Sequence, residues 1–279
     1  MISRKNDIKS GLSHEMSRVC QDVICDLNWR LMLGETTRIL AEFDAGIAEE
    51  IDFERHESIS LQRMVRYCLP IFEIHQAIDG FQLNPNLLAS IFLWQECWRP
   101  LDNLLDSDGK VTTNLREYNY QLLRAWSFHQ KTYPESRLME RFLTCLNSTI
   151  EVEDDLDART DPSRIYQRVS LYEVPFDDIC GLSKNTIECY RTYINAIGIA
   201  HDFGDILKDT ALGRITFATA ALRKIDEHCC LNASQFAALR EEGISTFKVF
   251  DDKLDKLDMK QCWVTGRNLK VFYNWAFIV

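Results

Sequence analysis

Three aspartates and a histidine near position 200 have the residue types and spacing of a divalent-metal site. Asp202, Asp205 and Asp209 are three and four residues apart, so a helix would place them on one face, with His201 beside them. The flanking residues are mostly Ile, Ala, Gly and Leu, and carboxylates in such surroundings are costly to bury unless they are protonated or bound to a cation. Three acids stacked in this way would repel one another without a counter-cation, so the segment predicts a cation site. The alternative is a charged helix face that ends at Gly213.

A second segment combines tryptophans with aspartates. Trp94, Trp98, Asp102 and Asp106 follow one another at intervals of four residues, which predicts that two indole rings and two carboxylates line one stripe of a helix. The face of an aromatic ring attracts a cation, so this arrangement suits a metal-binding end beside a wall for a cationic group. The alternative is that the tryptophans belong to the core and the aspartates mark the exposed end of the helix.

Two further acidic clusters are predicted to be solvated faces. The segment 251–258 matches a D-D-x-x-D pattern, but Lys253 and Lys256 interleave with its acids, which is typical of an exposed face with ion pairs. The acidic run 151–157 precedes a loop at 161–162. We therefore leave both clusters out of the predicted metal site.

The elements that must position these residues are helices. Apolar residues recur at intervals of three and four in nearly every long segment, and the chain has only 6 Pro and 11 Gly. Without an internal repeat or a low-complexity linker, the sequence predicts an all-α protein with residues 1–279 in a single domain. Ser183 and Asn232 are predicted helix N-caps, and Pro70 a kink. The predicted helices span 16–33, 36–54, 60–79, 85–107, 112–131, 135–157, 163–173, 183–210, 213–229, 232–257 and 259–276.

The composition argues against several classes of function. With 32 Lys+Arg against 42 Asp+Glu, the net charge of −10 would repel nucleic acid and anionic membranes. No stretch approaches the roughly 18 uncharged apolar residues of a membrane span, so no membrane insertion is expected. The 10 cysteines have irregular spacings without a C-x-x-C pair or a zinc pattern, and no apolar segment follows the N-terminal charges. These features predict a soluble, cytoplasmic protein with reduced cysteines.

Taken together, these segments resemble the class I terpenoid synthase superfamily, whose members are single helical bundles with a central active-site cavity. The stronger match is the segment 201–209, which fits the family pattern N-D-x-x-S-x-x-K-E with His201 in place of Asn, Asp205 in place of Ser and Asp209 in place of Glu. The segment also resembles the D-D-x-x-D version of chain-elongating synthases, and residues 212–214 resemble the L-G-K that follows that version.

Three looser matches accompany the stronger one. Asp102 and Asp106 fit D-x-x-x-D, without the doubled aspartate of many members, about 100 residues before the second motif. Residues 166–170 resemble the cyclase segment whose arginine senses the diphosphate, which assigns that role to Arg168, with Arg164 behind it. Residues 263–268 resemble the W-V-x-G-N segment before the last cyclase helix, although the R-Y pair expected after it is missing.

The resemblance implies a Mg²⁺-dependent enzyme that ionises an allylic prenyl diphosphate and releases diphosphate. Arg168, Lys208 and Arg214 would bind the diphosphate, and Trp94 and Trp98 would shield the carbocation from water. The metal, expected as three Mg²⁺ ions, would be held by Asp102, Asp106, His201, Asp202, Asp205 and Asp209.

The residues after the first motif indicate the branch of the superfamily. Chain elongation normally needs a pair of arginines there, and the segment offers only Lys110. We therefore expect a cyclase that acts on a C10–C20 prenyl diphosphate, with prenyl transfer to an acceptor other than isopentenyl diphosphate as the alternative. The resemblance leaves a homodimer open. A non-catalytic helical interaction protein would also have acidic helix faces and an aromatic core, whereas an H-D type phosphohydrolase would need further His and Asp ligands at recognisable spacing.

Overall fold

The elements of the fold are helical, as the spacing of apolar residues predicts. A computed structural model describes residues 2–82, 84–105, 111–168, 173–225, 232–258 and 260–278, and within these ranges no strand is present. A π-helical turn spans Met64–Cys68 and a 3-10 helix spans Ile165–Arg168. The α-helices are α1 Ile2–Cys25, α2 Leu27–Phe43, α3 Ala45–Glu50, α4 Ile59–Arg63, α5 Leu69–Asp79, α6 Pro85–Leu105, α7 Val111–Thr132, α8 Leu138–Asp154, α9 Leu156–Thr160, α10 Val174–Cys180, α11 Lys184–Gly204, α12 Ile206–Ala211, α13 Phe217–Ile225, α14 Ala233–Leu254 and α15 Trp263–Phe277.

Both predicted N-caps are confirmed. The Ser183 hydroxyl accepts a hydrogen bond from the backbone N–H of Thr186 at 3.2 Å, at the start of α11. Asn232 and Gln235 form a reciprocal capping box at the start of α14. Each cap satisfies backbone N–H groups that the first helical turn leaves without a partner, so both helices begin where the sequence predicts.

Two predicted boundaries near the N-terminus are wrong. The sequence predicts a break near Gly34, between helices 16–33 and 36–54, but Gly34 lies inside α2. The helices are separated instead at Asp26 and Asp44, whose carboxylates cap α2 and α3. A helical glycine costs only about 1 kcal/mol relative to alanine, which the packing of α2 on α6 can offset. The aspartates bind backbone N–H groups directly, so they determine where these helices begin.

Two further corrections concern the middle of the chain. The sequence predicts a helix over 163–173, but the described residues 163–168 form only the short 3-10 helix. Helix α10, in contrast, lies in a stretch that the sequence predicts as a connection. Pro175 lies in the first turn of α10, where its missing N–H would have no helical partner. The helix predicted over 183–210 is divided at Asp205 into α11 and α12.

Helix α11 lies against much of the rest of the fold. It packs on α14, α15, α5 and the 3-10 helix, and most of its side chains from Tyr190 to Phe203 are buried in a continuous hydrophobic core. The buried residues of α11 include the polar side chains of Asn195 and Asp202. Buried polar groups need hydrogen-bond or charge partners, so these residues have structural or chemical roles in the interior.

Pro70 produces a π-helical turn where the sequence predicts a kink. A proline lacks the N–H that would bond to the carbonyl four residues earlier, that of Arg66. The backbone N–H of Leu69 bonds instead to the carbonyl of Met64, five residues back. Side chains of α11 and α15 donate to three carbonyls of this turn: Tyr193 Oη to Arg66 O (2.8 Å), Asn268 Nδ2 to Val65 O (2.8 Å) and Tyr190 Oη to Tyr67 O (3.3 Å).

The long helices mix apolar and charged positions along their length. In α14, for example, Arg240, Glu241 and Glu242 follow one another in the middle of the helix. Within the described part of the chain, none of the helices is both long and apolar enough to cross a lipid bilayer.

Candidate functional site

Residues from five separate elements line a cavity of about 160 Å³. Trp98 and Asp102 come from α6, His201 and Asp202 from the C-terminal end of α11, and Arg168 from the 3-10 helix. All five belong to the sequence motifs. The rest of the wall is aromatic or aliphatic and consists of Tyr67, Ile165, Ile194, Ile197, Gly198 and Phe272.

Asp202 is buried beside the N-terminus of α13. Its residue exposure is 5%, and its Oδ2 accepts a hydrogen bond from the backbone N–H of Phe217 at 3.2 Å. Burial raises the pKa of Asp202 from 3.8 to about 6; the positive charges of Arg168 and Arg159 oppose this shift, and Asp209 adds to it. A cation bound beside this carboxylate would favour its ionised form and lower this pKa.

His201 lines the cavity at the end of α11. Its side chain is accessible to solvent, yet the surrounding protein disfavours the imidazolium and lowers the pKa of His201 below its usual value of 6.5. The carboxylate of Asp205 opposes this shift, whereas the positive charges of Arg66, Arg168 and Lys208 add to it. The ring is therefore a neutral imidazole at neutral pH, with one N–H donor and one acceptor nitrogen.

Asp205 and Asp209 do not share an unbroken helix face with Asp202, contrary to the prediction. Asp205 adopts φ −97° and ψ 6° between α11 and α12. Its carboxylate lies 3.9 Å from Lys208 Nζ, and the carboxylate of Asp209 lies 3.7 Å from Arg214 Nη1. Among the residues that the structure describes, no three His, Cys, Asp or Glu side chains are grouped closely enough to hold one metal ion.

Gly204 provides the physical reason for the break in this helix. A Cβ at this position would lie 2.3 Å from Cη2 of Trp275, so α15 packs directly on the backbone of α11. Glycine also has a low helix propensity, and Gly204 is the last residue of α11. The Trp275 ring also neighbours His201, with 6.0 Å between the ring centres.

Arg168 belongs to a short segment that α11 holds in place. Asn195 forms two hydrogen bonds with this segment: its Oδ1 accepts from the backbone N–H of Tyr166 at 2.7 Å, and its Nδ2 donates to the carbonyl of Ser163 at 3.0 Å. These bonds satisfy both ends of a buried amide. The 3-10 helix that ends at Arg168 is therefore attached to the helix that ends near Asp202.

Two more contacts attach the same segment to α11. The guanidinium of Arg191 lies 4.7 Å from the ring centre of Tyr166 and donates from Nη2 to Glu173 Oε1 at 3.0 Å. Gly198 leaves room for Ile165, whose Cγ2 would lie 2.3 Å from a Cβ at position 198. The residues of α11 that hold this segment lie on the same stripe of the helix as Asp202. The positions Arg191, Asn195, Gly198 and Asp202 are separated by four, three and four residues.

The ladder of side chains predicted on α6, which consists of Trp94, Trp98, Asp102 and Asp106, is only partly as predicted. Trp98 and Asp102 line the cavity, but Trp94 is fully buried against Phe142, with ring centres 4.6 Å apart, and does not belong to the cavity wall. Four residues turn an α-helix through about 400°, so each step of the ladder rotates by about 40° around the helix axis. Asp106, the last member of the ladder, lies outside the described residues.

Sequence reasoning missed the aromatic residues and the arginine on the side of the π-helical turn. Tyr67 and Phe272 line the cavity, and the guanidinium of Arg66 lies 5.7 and 5.3 Å from the centres of their rings. The Nε of Arg66 is buried and has no hydrogen-bond partner among the described residues. An arginine within the otherwise apolar and aromatic run 64–68 is the signal that could have identified this region.

The other residues of the motifs lie outside the cavity wall. Lys208 is 40% exposed, and Trp263 lies beneath the guanidinium of Arg267, 5.7 Å from the ring centre. In the cluster 251–258, Asp252 and Asp255 are exposed, which is the arrangement predicted for a solvated face. Arg214 lies next to Asp209 and does not reach the wall.

A Ser–His–Asp arrangement elsewhere in the fold is structural. Ser90 Oγ lies 2.6 Å from His129 Nδ1, and His129 Nε2 lies 3.2 Å from Asp178 Oδ2. The side chains of Ser90 and His129 are completely buried, and burial lowers the pKa of His129. A substrate has no access to the hydroxyl, so this group joins α6, α7 and α10 and does not act as a catalytic triad.

Comparisons of the chain with models of protein families, with characterised proteins and with solved structures give no match. The family resemblance therefore rests on the motif residues of the sequence alone.

Proposed function

We propose that this protein is a magnesium-dependent class I terpene synthase that ionises an allylic prenyl diphosphate. The main support is that residues from both acidic motifs and from the predicted diphosphate-sensing segment line one cavity. Asp102 and Asp202 are 100 positions apart in the chain, and Arg168 comes from a third segment. In a non-catalytic interaction protein, acidic faces that serve only solubility would have no reason to meet at a cavity.

The oxygen donors at the cavity fit Mg²⁺. This ion is usually held by one or two carboxylates, and water and substrate phosphate complete its shell. Asp102 and Asp202 would each offer a carboxylate at the cavity. His201, Asp205 and Asp209 would join them only after side chains move, because no three such groups among the described residues are now close enough to share one ion. The expectation of three ions stays part of this proposal. When bound, the metal would neutralise negative charge that develops on the leaving diphosphate.

Arg168 and His201 would bind the diphosphate directly. A guanidinium donates charge-assisted, often bidentate hydrogen bonds to phosphate, and the neutral imidazole of His201 adds an N–H donor. As the carbon–oxygen bond breaks, its electron pair leaves with the diphosphate, and donors already in place stabilise the charge on the leaving oxygen. Lys208 and Arg214, predicted from the motif, would contribute positive charge from the α12 side.

The aromatic wall would receive the allylic carbocation that remains. Trp98, Tyr67 and Phe272 present rings to the cavity, and the face of an aromatic ring attracts a cation. The same rings would exclude water, which would otherwise quench the cation early. The cation, cyclised or not, then loses a proton or captures water. In the alternative prenyltransferase reaction, the electron pair of a nucleophilic acceptor attacks the cation, and the acceptor releases a proton.

The decisive experiment is an assay of diphosphate release by the purified protein. Geranyl, farnesyl and geranylgeranyl diphosphate would each be supplied with Mg²⁺ or with EDTA, and the products would be identified by gas chromatography. We expect Mg²⁺-dependent release together with a free hydrocarbon or alcohol. Release that requires an added acceptor would favour the prenyltransferase, and no release from any substrate would reject the enzyme in favour of an interaction protein.

A further inference from the structure

We propose that a second pocket, away from the motif residues, binds a short primary alkylammonium and that the Glu173 carboxylate accepts its N–H groups. The pocket has a volume of about 230 Å³ and lies between α8, the start of α10 and α11. The sequence motifs and the proposed terpene synthase reaction leave this pocket without a role. The proposal therefore stands independently of the proposed function.

Glu173 lines the pocket with a carboxylate of which only one oxygen is paired. Its Oε1 accepts hydrogen bonds from Nε and Nη2 of Arg191 at 3.1 and 3.0 Å. Its Oε2 is buried and has no hydrogen-bond partner among the described residues, and the residue as a whole is 6% exposed. Glu173 immediately precedes α10, yet its side chain caps no N–H group of that helix. A buried carboxylate oxygen without a donor is costly, so a ligand that donates N–H groups would remove this cost.

The negative charge of Glu173 is only partly compensated by the protein. Burial raises the pKa of Glu173 above its usual value of 4.5; the guanidinium of Arg191 opposes this shift, and the carboxylate of Asp177 adds to it. The pairing with Arg191 therefore does not offset the cost of burying the ionised group. A second positive charge beside Oε2 would favour the ionised carboxylate.

The other polar groups of the wall favour a cation over an anion. Its charged side chains are three carboxylates and two guanidiniums, those of Glu140, Glu173, Asp177, Arg141 and Arg191. Each guanidinium already has a carboxylate partner, since Arg141 bonds to Asp177 and Arg191 to Glu173. The contact of Glu140 with Arg137, outside the wall, is exposed and screened by water.

The hydroxyl of Thr144 adds an acceptor to the same wall. It donates its own hydrogen to the backbone carbonyl of Glu140 at 3.0 Å, so its lone pairs remain to accept. An alkylammonium has three N–H donors and no acceptor, which matches a wall of this kind. A carboxylate or a phosphate would instead be repelled by the unpaired oxygen of Glu173.

An aliphatic surface beside Glu173 is suited to the alkyl chain. Val174, Leu182 and Ile187 line the same pocket, and Val174 and Leu182 are 3% and 8% exposed. Contact with these side chains removes methylene groups from water, which favours binding. The pocket is larger than a cavity of about 150 Å³, which holds one benzene ring, so it has room for butylammonium.

The test is a calorimetric titration of the purified protein with butylammonium chloride. We expect saturable binding with a Kd on the order of 1 mM, since the ligand has few atoms. Butyltrimethylammonium keeps the charge and the chain but has no N–H donor, and butanol keeps the chain without the charge. Both should bind at least about tenfold more weakly, because the hydrogen bonds to the carboxylate are lost.

Two variants and a matched control locate the binding. Glu173→Gln should weaken it by about tenfold or more, because the amide oxygen can still accept from Arg191 while the amide NH₂ replaces Oε2. Glu188→Gln removes an exposed carboxylate of α11 outside the wall and should bind as the wild type does. Thr144→Lys, at an exposed position of the wall, places an ammonium of the protein in the pocket and should abolish binding. This variant decides the question if Glu173→Gln does not fold, and circular dichroism checks the fold of each protein.

Several results would overturn the inference. Equal binding of butylammonium and butyltrimethylammonium would indicate a counterion attracted by the net charge of −10. Unchanged affinity in a folded Glu173→Gln, or in Thr144→Lys, would place the binding elsewhere, and no saturable binding by the wild type would reject the site. None of these results bears on diphosphate release, so the failure of this inference is distinct from the failure of the proposed function.

Discussion

Ile165 packs directly on the backbone of Gly198, where a Cβ would lie 2.3 Å from Ile165 Cγ2. The contact sets the spacing between α11, which continues to Asp202, and the 3-10 helix, which ends at Arg168. The relative position of a predicted metal ligand and a predicted diphosphate ligand therefore depends on the absence of a side chain at position 198.

Gly198→Ala should lower the rate of diphosphate release by a factor on the order of 100. A displacement of about 1 Å can lower a rate that much when the reacting groups must be aligned. The added methyl would push Ile165, and with it Arg168, away from α11. The measurement is steady-state kinetics beside circular dichroism, which should show helix content unchanged. The double variant Gly198→Ala/Ile165→Ala should recover part of the activity, because it restores the space.

A matched control for this glycine is Gly34→Ala in α2. Nothing lies within 4 Å of a Cβ built there, so the substitution should stabilise the helix by about 0.5–1 kcal/mol and leave turnover unchanged. If Gly198→Ala had the same kinetic constants as the wild type, the contact between Gly198 and Ile165 would not be what positions Arg168.

Asn195→Ala should weaken substrate binding and stability together. It removes both hydrogen bonds to the segment 163–166 and leaves a buried N–H and a carbonyl unsatisfied, at about 2 kcal/mol of unfolding free energy. Asn195→Asp keeps the acceptor for Tyr166 N–H and should keep more of both properties. The checks are thermal unfolding and a KM-against-kcat comparison; a stability loss with unchanged KM would limit Asn195 to a structural role.

This same segment shows where sequence reasoning reaches its limit. Residues 163–173 have helical spacing, which predicts a helix, but the bonds to Asn195 and the packing of Ile165 come from a helix thirty residues later in the chain. The caps at Ser183 and Asn232 are predictable because they depend on residues within one turn. The predicted shared faces differ from the structure: Trp94 lies off the cavity wall and Asp205 off the helix face of Asp202. The phase of α6 and the end of α11 depend on Phe142 and Trp275, which are distant in sequence.

The raised pKa of Asp202 predicts a specific dependence on pH. Because its pKa is about 6 in the folded protein and 3.8 ordinarily, the folded state binds this proton more tightly than the unfolded state does between those values. The contribution of Asp202 to stability is therefore greatest below about pH 4 and falls by roughly 3 kcal/mol as the pH rises through 6. Mg²⁺ binds the ionised carboxylate, so it should raise the Tm more above about pH 7 than near pH 5.

The matched variant for this prediction is Asp202→Asn. It keeps an acceptor for the Phe217 N–H and removes the titrating group, so it should be less sensitive to pH between 4 and 6 and insensitive to Mg²⁺. Burial also raises the pKa of Glu73, to about 7. Comparing the pH dependence of stability in wild type and Asp202→Asn therefore separates the titration of Asp202 from that of Glu73. Identical Mg²⁺-dependent Tm shifts in both proteins would place the metal elsewhere.

Glu73 should be among the most sensitive positions for stability. From α5 it caps the start of α15, where Oε1 accepts from Val264 N–H at 2.9 Å and Oε2 accepts from both the N–H and the hydroxyl of Thr265 at 2.8 Å. Glu73→Ala would leave these donors buried without partners, and we expect a loss of about 3 kcal/mol in urea unfolding. Glu57→Ala, at a side chain that is 71% exposed, should change stability by less than about 0.5 kcal/mol.

The ranking of the acidic clusters gives the most direct test of the proposed site. Asp102→Ala and Asp202→Ala should each abolish Mg²⁺-dependent diphosphate release while the protein stays helical, because both carboxylates line the cavity. Asp252→Ala alters the literal D-D-x-x-D pattern on an exposed face of α14 and should leave turnover near that of wild type. Circular dichroism and diphosphate release, measured on all three variants, decide the matter. Equal losses in all three would mean that cavity placement does not distinguish the metal-binding acids, and the cluster 251–258 would then have to be included in the site.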